Sequence, residues 1–438
     1  MVVVGSGPGG ASVARELARR GKRVAILERG RDHRGMPHYG TYLGALIYAD
    51  RASLLFTREG LQIVRPLMVG GATSMYCGAA ALPPSWLGER YGVDLAPFGE
   101  AIAAELEVAP LAPEQRGRAS TRIAEVATSL GQDWQPQLKM MRPDRARRFD
   151  CGAKCMLGCR CGAKWSAGEW VDDAVAAGAE LITGARVTEV IRESGRAAGV
   201  RATVGGRSLE IAAPVVVVAA GGLGTPAILR ASGFAEAGHG MAMDTTAIVY
   251  GETREPGNGG EPPMTWSFTD HERGYMLSTL FDPWLLYPII AGLARLPYAL
   301  TWPRWGRMLG VMIKLKDTVG GEILPDGTVT KPLTPADRKR FDHAVDACRR
   351  ILVRAGAPPA TIFVSPLRGT HPSATVRLGE MVDRDLQTAL PGLYVCDASV
   401  FPEALGQPTV LTILSFGRRL AGQLAPTAPT VGDAPRAG

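Results

Sequence analysis

Apolar positions along the chain switch between short unbroken runs and helical spacings, with glycine and proline marking each change. Val2 to Val4 is an unbroken run that stops at Gly5, Ala11 to Arg20 carries apolar residues at helical spacing, and Arg23 to Leu27 is a second run ending at Glu28. Strand, helix and strand in that order predict a βαβ unit. Helical spacing recurs over 98–108, 120–131 and 167–177, and strand patterns occupy 180–183, 187–192 and 198–204, followed by the hairpin signal Gly205-Gly206. Val215 to Ala219 is a continuous apolar run of the kind buried on both faces of a parallel sheet, and it breaks at Gly221-Gly222. A last strand is predicted at Leu393 to Cys396. The class is therefore α/β, with a Rossmann-like domain that the chain leaves and re-enters. No internal repeat is present.

The stretch from Gly238 to Val364 is richer in Trp, Pro and Met, and reads as a second, α+β domain. At its centre Pro283 to Ile313 is strongly apolar, but Pro288, Pro297, Pro303, Arg295, Arg304 and Arg307 interrupt it. A spanning helix needs about 20 mostly uninterrupted apolar residues, so a transmembrane reading is rejected. A buried or pocket-lining pair of helices is expected, with peripheral membrane contact or a greasy substrate mouth as the other readings.

Composition narrows the classes without naming one. The 438 residues are 46% hydrophobic and 21% charged, enough apolar material for a sizeable core and too much for global disorder. Lys and Arg exceed Asp and Glu by 7, but the basic residues are scattered through helix-like segments, so no nucleic-acid footprint is expected. Of the seven cysteines, four (Cys151, Cys155, Cys159, Cys161) form one local constellation, not a distributed disulfide framework. The N-terminus shows no basic segment followed by an apolar stretch and cleavage site, so a cytoplasmic location is expected.

Gly5-x-Gly7-x-x-Gly10 follows a strand and opens a helix, and Glu28 closes the second strand. The glycines permit a tight turn and close approach to a pyrophosphate, the helix N-terminus faces its charge, and the carboxylate suits a ribose hydroxyl pair. A carboxylate disfavours a 2′-phosphate, which leaves FAD or NAD.

Further motifs decide between the two. Gly70-Gly-Ala-Thr-Ser-Met-Tyr76, residues 219–233 (AAGGLGTPAILRASG), 369–379 (GTHPSATVRLG) and the terminal DASVFP at 397–402 with GQPT at 406–409 stand in an order and spacing that span nearly the whole chain. In these the sequence resembles the glucose-methanol-choline (GMC) family of flavin oxidoreductases. The resemblance implies a split FAD-binding domain (1–95, 147–235 and 369–425), a helical insertion at 96–146, a substrate cap at 236–368 and a disordered tail at 426–438. It implies that Gly70, Gly71 and Ser74 line the flavin side and that Val187 approaches adenine through its backbone. Asp397 and Ala398 would lie near the pyrophosphate and ribityl chain, and Pro408 and Thr409 at the pyrimidine edge.

By the same resemblance the activity is oxidation of an alcohol to a carbonyl at the flavin N5, with His371 as general base; an imidazole with an ordinary pKa of about 6.5 suits that task. Gln407 stands where the family commonly has His or Asn, and is expected to orient the substrate oxygen without acting as a base. Gly222 and Tyr76 also depart from the family pattern. The apolar cap with Trp266, Trp284, Trp302 and Trp305 favours a hydrophobic alcohol over a sugar. Rival readings are a flavin enzyme acting on a C–C bond or running reductively, a non-catalytic electron-transfer flavoprotein, and a nicotinamide enzyme.

Four thiols in so short a segment suit zinc, copper(I) or an iron–sulfur cluster. The spacing Cys151-x3-Cys155-x3-Cys159-x-Cys161 is neither that of ferredoxins nor the paired C-x2-C of a zinc ribbon. The segment resembles the cysteine-rich insertion of iron–sulfur-containing GMC sugar dehydrogenases, which implies a [4Fe–4S] or [3Fe–4S] cluster passing electrons to an external acceptor such as a cytochrome, quinone or partner subunit. Zinc, a disulfide, and free thiols with oxygen or a quinone as acceptor are the other readings. Cys77, Cys348 and Cys396 are expected to be buried as small apolar residues.

Overall fold

The structure, a computed structural model, describes residues 1–146 and 148–426. The tail expected at 426–438 lies outside the described residues apart from Pro426, and so does Arg147, the first residue of the segment expected to re-enter the nucleotide domain.

Five short strands form an all-parallel sheet in the order Leu393–Val395, Val216–Val218, Val2–Val4, Ala25–Glu28 and Glu180–Thr183. Val2–Val4 and Val216–Val218 are buried at every residue, as unbroken β-branched runs covered on both faces should be. Helix Pro8–Arg19 starts with proline in its first turn, where no intrahelical N–H is needed. It crosses helix Val410–Leu424 where Ser12 donates to the Leu414 carbonyl at 2.8 Å; a Cβ on Gly417 would stand 2.5 Å from the Ser12 Cβ. The helix expected at 167–177 forms as Ala167–Ala176 behind a Ser166/Glu169 capping box.

Strands Ala185–Glu193, Arg196–Val204 and Arg207–Ala212 make a three-stranded antiparallel sheet, with Gly205-Gly206 turning the last hairpin. A larger mixed sheet has Thr245–Glu252 and Met308–Leu315 as antiparallel neighbours, with Thr246 opposite Lys314 and Ile248 opposite Met312. The period of two sorts its faces. Val249, Val311 and Ile313 pack in one core with Ala344, Cys348 and Ile351 of helix Pro335–Arg354. Thr246, Ile248, Met312 and Lys314 face the other way, into the main cavity.

The apolar stretch at 283–313 departs from the expected pair of buried helices. Only Tyr287–Ala294 is α-helical; 3₁₀ turns run from Leu296 to Arg307, and Met308 begins a strand. Pro297 and Pro303 supply no N–H and interrupt the α-helical ladder. Tyr287, Ile290 and Ala291 are buried, whereas Ile289, Leu293, Leu296 and Leu300 are exposed. Among the described residues no helix is long and apolar enough to cross a membrane.

Candidate active site

A cavity of about 980 Å³ opens at the C-terminal ends of Val2–Val4 and Val216–Val218, where the strand order of the parallel sheet reverses. Such a switch point is where open α/β sheets bind ligands. One end is lined by Gly5, Ser6, Gly7 and Glu28, the middle by Gly71, Asp397, Pro408 and Thr409, and the far end by Thr246, Lys314 and His371.

The glycines expected to hold a dinucleotide act in different ways. Gly5 has φ +102°, and a Cβ there would stand 2.3 Å from the Ala219 carbonyl oxygen. A Cβ on Gly7 would project into open space at the helix N-terminus, and one on Gly10 would meet the Gly5 carbonyl oxygen at 2.0 Å. Gly7 therefore leaves the phosphate position clear, while Gly10, behind the cavity wall, lets helix and strand approach. Glu28 accepts from Ser6 N at 3.0 Å, Ser6 Oγ at 2.6 Å and Gly30 N at 2.7 Å, which fixes its carboxylate at the cavity edge. Asp397 accepts from Gly221 N at 2.9 Å and Ser399 N at 2.8 Å and from the Thr225 hydroxyl, while burial raises its carboxyl above the ordinary range. Val187 and Ala398 also line the wall, and Thr409 precedes helix Val410–Leu424, whose N-terminus meets the cavity. Glycine clearance at the pyrophosphate end, a fixed carboxylate and a second helix N-terminus fit FAD.

Two expected contacts are one layer back. Gly71 lines the cavity, but Gly70 donates its N–H to Ser6 Oγ at 3.2 Å and Ser74 donates to the Val69 carbonyl at 3.2 Å. Both brace the loop instead of lining the flavin side, because the turn at Gly70 (φ +90°) points Gly71 and Ala72 inward.

His371 is 25% exposed, and it lines the cavity. Its Nδ1 lies 2.6 Å from Asp244 Oδ2, while Asp244 Oδ1 accepts from Gly406 N at 2.9 Å. A carboxylate only accepts, so this network assigns the ring proton to Nδ1 and leaves Nε2 as an acceptor. Burial, and next the charge of Lys314, push the imidazole below its ordinary value against the pull of Asp244. That direction favours the uncharged ring, the form a base needs. Asp244 takes φ +47°, held there by Asp317, which accepts from Met243 N at 3.0 Å and Thr245 N at 2.9 Å on either side.

Sequence reasoning missed Asp244 and Lys314. Lys314 is buried, its Nζ donates to Thr370 Oγ1 at 2.8 Å, and this is its one hydrogen bond among the described residues. Burial lowers its ammonium, opposed by Asp244, Cys77 and Asp317. A lysine between Ile313 and Leu315 in a fully buried strand was a legible signal; Asp244 meets His371 from 127 positions away, with no local pattern to announce it.

Gln407 is a correction. The positive φ of Gly406 (+68°) turns the loop so that Gln407 Nε2 donates to the Leu82 carbonyl at 2.9 Å, and the side chain is not in the cavity wall. The four tryptophans do not line it either: Trp284 packs on Trp302 at 4.8 Å, Trp305 on Phe281 at 6.1 Å, and Trp266 donates to Thr121. The apolar wall is aliphatic, with Leu46, Leu285, Leu286, Ile289, Ile290 and Leu293. The two departures from family pattern have local reasons. A Cβ on Gly222 would lie 2.0 Å from the Pro372 carbonyl oxygen, next to His371, and the Tyr76 hydroxyl donates to the Trp165 carbonyl at 2.9 Å.

The cysteines converge, with Sγ atoms of Cys151 and Cys161, and of Cys159 and Cys161, 3.7 Å apart. These are free thiols, far beyond the roughly 2.05 Å of a disulfide. Among the described residues no group of three or more His, Cys, Asp or Glu side chains is placed to hold a metal ion. The expected iron–sulfur ligand set is therefore not supported, and no electron step is drawn through it. The loop is instead secured by Lys164, whose N–H donates to Cys159 Sγ at 3.2 Å and whose ammonium donates to the Tyr76 and Cys155 carbonyls at 2.7 and 2.8 Å. The neighbouring Cys151 thiol, with the charges of Lys164 and Lys139, lowers the Cys155 thiol against its burial.

Comparison with known proteins identifies the family. Two GMC oxidoreductase family models match residues 69–270 and 324–417, and an NAD(P)-binding Rossmann-like domain matches residues 3–54. The chain belongs to the GMC oxidoreductase family, which implies FAD. It is 34% identical over 270 residues to an uncharacterized GMC-type oxidoreductase of Mycobacterium tuberculosis, a match covering 57% of this chain and 42% of that relative's length. It is 24% identical over 498 residues to a long-chain-alcohol oxidase of Arabidopsis thaliana, covering 94% of this chain and 65% of the relative. Pyridoxine 4-oxidase from Mesorbium loti has the same fold, with TM-score 0.73, 17% identity, and coverage of 96% and 98% of the two chains.

Proposed function

We propose that this oxidoreductase converts the CH–OH group of a hydrophobic alcohol to a carbonyl. The observation that carries this reading is a histidine held by a buried carboxylate on the wall of a cavity whose lining also includes the aliphatic cluster Leu46, Leu285, Leu286, Ile289, Ile290 and Leu293. His371 Nε2 accepts the hydroxyl proton, Asp244 fixes the ring's tautomer and direction, and Lys314 places positive charge near the oxygen as the proton leaves. FAD, when bound between the Gly5–Gly10 turn and the Thr409 helix end, supplies the acceptor for the hydride. Leu46, Leu285, Ile289 and Leu293 take the alkyl chain and keep water from the reacting carbon. The 24% identity to a long-chain-alcohol oxidase supports a substrate of that kind. The cysteines serve as structural thiols, and the electrons pass to an external acceptor, with oxygen the first to test.

Anaerobic mixing of the FAD-loaded protein with primary alcohols of increasing chain length tests this. Bleaching of the flavin band that strengthens with chain length is expected; faster bleaching by sugars or short polar alcohols would overturn the substrate class.

A further inference from the structure

The aliphatic lining of the cavity continues onto the outside of the molecule. Tyr42 and Leu46 of helix Tyr42–Tyr48, with Leu285, Ile289 and Leu293 at helix Tyr287–Ala294, all line the cavity. The two segments meet directly, the Leu285 N–H donating to the Tyr42 hydroxyl at 3.3 Å. Their outer faces carry Leu43 and Leu293, 64% and 63% exposed, and the 3₁₀ turns beyond add Leu296 and Leu300 at 79% and 77%. Large aliphatic side chains so exposed and so contiguous mark an interaction surface.

Charge selects the occupant. No Asp or Glu occurs in 33–49 or in 283–316, the two segments that build this face. Arg51, Arg295 and Arg307 are exposed and have no acidic partner among the described residues, while Arg304 pairs with Glu252 at 3.2 Å. Trp284, 45% exposed, packs at a tilt against Trp302 beside them, an amphipathic pair suited to a membrane–water boundary. Aliphatic side chains at the centre, aromatics beside them and unpaired guanidinium groups nearby match a bilayer whose headgroups are anionic.

We propose that this face docks the protein on an anionic phospholipid bilayer, with the cavity mouth between the two helices opening at the acyl chains. Docking stands on the surface alone; entry of a hydrophobic alcohol from the lipid rests on the function proposed above.

The test is co-sedimentation of the FAD-loaded protein with vesicles of phosphatidylcholine, with and without phosphatidylglycerol. The protein is expected to pellet with the phosphatidylglycerol vesicles, less so as salt rises. The double variant Leu296→Asp/Leu300→Asp, with melting temperature and flavin absorbance unchanged, is expected to lose at least about tenfold in vesicle affinity. Arg295→Glu/Arg307→Glu is expected to lose the preference for phosphatidylglycerol. Wild-type protein that stays in the supernatant with both vesicles overturns the proposal, as does pelleting unaffected by the leucine variant. A dimer in sedimentation equilibrium that the leucine variant dissolves, without vesicle binding, assigns the face to a second copy and also overturns it. Flavin bleaching by a dispersed alcohol in the absence of vesicles reads the proposed activity separately, so failure of docking and failure of that activity are distinguishable.

Discussion

Asp244 is held in a left-handed backbone conformation that places its two oxygens on two loops at once, one on Gly406 N and one on His371 Nδ1. A side chain at that φ costs conformational energy, and the Asp317 bonds on either side hold it in place. Asp244→Asn is expected to lower kcat roughly 10²-fold through loss of ring orientation. It is also expected to move the acid limb of the pH profile down, because the carboxylate that favours the imidazolium is gone. A purely structural role would leave that limb in place. In the wild type the limb should fall below histidine's ordinary value of about 6.5, since burial and Lys314 both disfavour the protonated ring. Lys314→Met reverses the second of these effects. Its acid limb should therefore rise in pH while kcat/KM falls by about 10²-fold or more, as expected when a charge aimed at a developing oxyanion is removed. Steady-state kinetics across pH checks both variants.

At the scale of elements, the site is made where two sheets present their faces to one cavity, and a buried ion pair ties the strand just before His371 to the start of the aliphatic segment. Arg368 donates to both oxygens of Asp282, at 2.8 and 2.7 Å, and the Tyr250 hydroxyl donates to the same carboxylate. Asp282 leads directly into the segment that carries Leu285 and helix Tyr287–Ala294. Arg368→Ala leaves a buried carboxylate without its cation, so a loss of about 3–5 kcal/mol is expected in denaturant melts. An unchanged midpoint would show that the pair does not secure that segment. The parallel sheet was legible because its two central strands, Val2–Val4 and Val216–Val218, are unbroken valine runs shortly before glycine turns, and the dinucleotide end because its motif is local. The second sheet was not, since its central strands pair across about seventy positions of chain, from Thr246 to Lys314, and period-two patterning is hidden when both faces are buried. Gln407 was misplaced for a related reason: its neighbours Pro408 and Thr409 reach the cavity, but the turn at Gly406 sends its side chain to Leu82. The tryptophans were rightly placed in the apolar region, but aliphatic side chains line the cavity in their stead.

The whole molecule is organised around one continuous chamber, from Glu28 at the edge of the parallel sheet, past His371, to the aliphatic mouth between two exposed helices. The cysteine loop lies against this chamber, tied by Lys164 to the Tyr76 carbonyl, and its thiols are free. The account's central claim is that His371 takes the proton from an alcohol as the flavin is reduced. Single-turnover flavin bleaching by a long-chain primary alcohol, measured anaerobically in wild type and His371→Ala at equal flavin content, tests it most directly. The account predicts bleaching slowed about 10²–10⁴-fold in the variant. Bleaching within a few-fold of wild type, or a wild-type flavin that no alcohol bleaches, would contradict it.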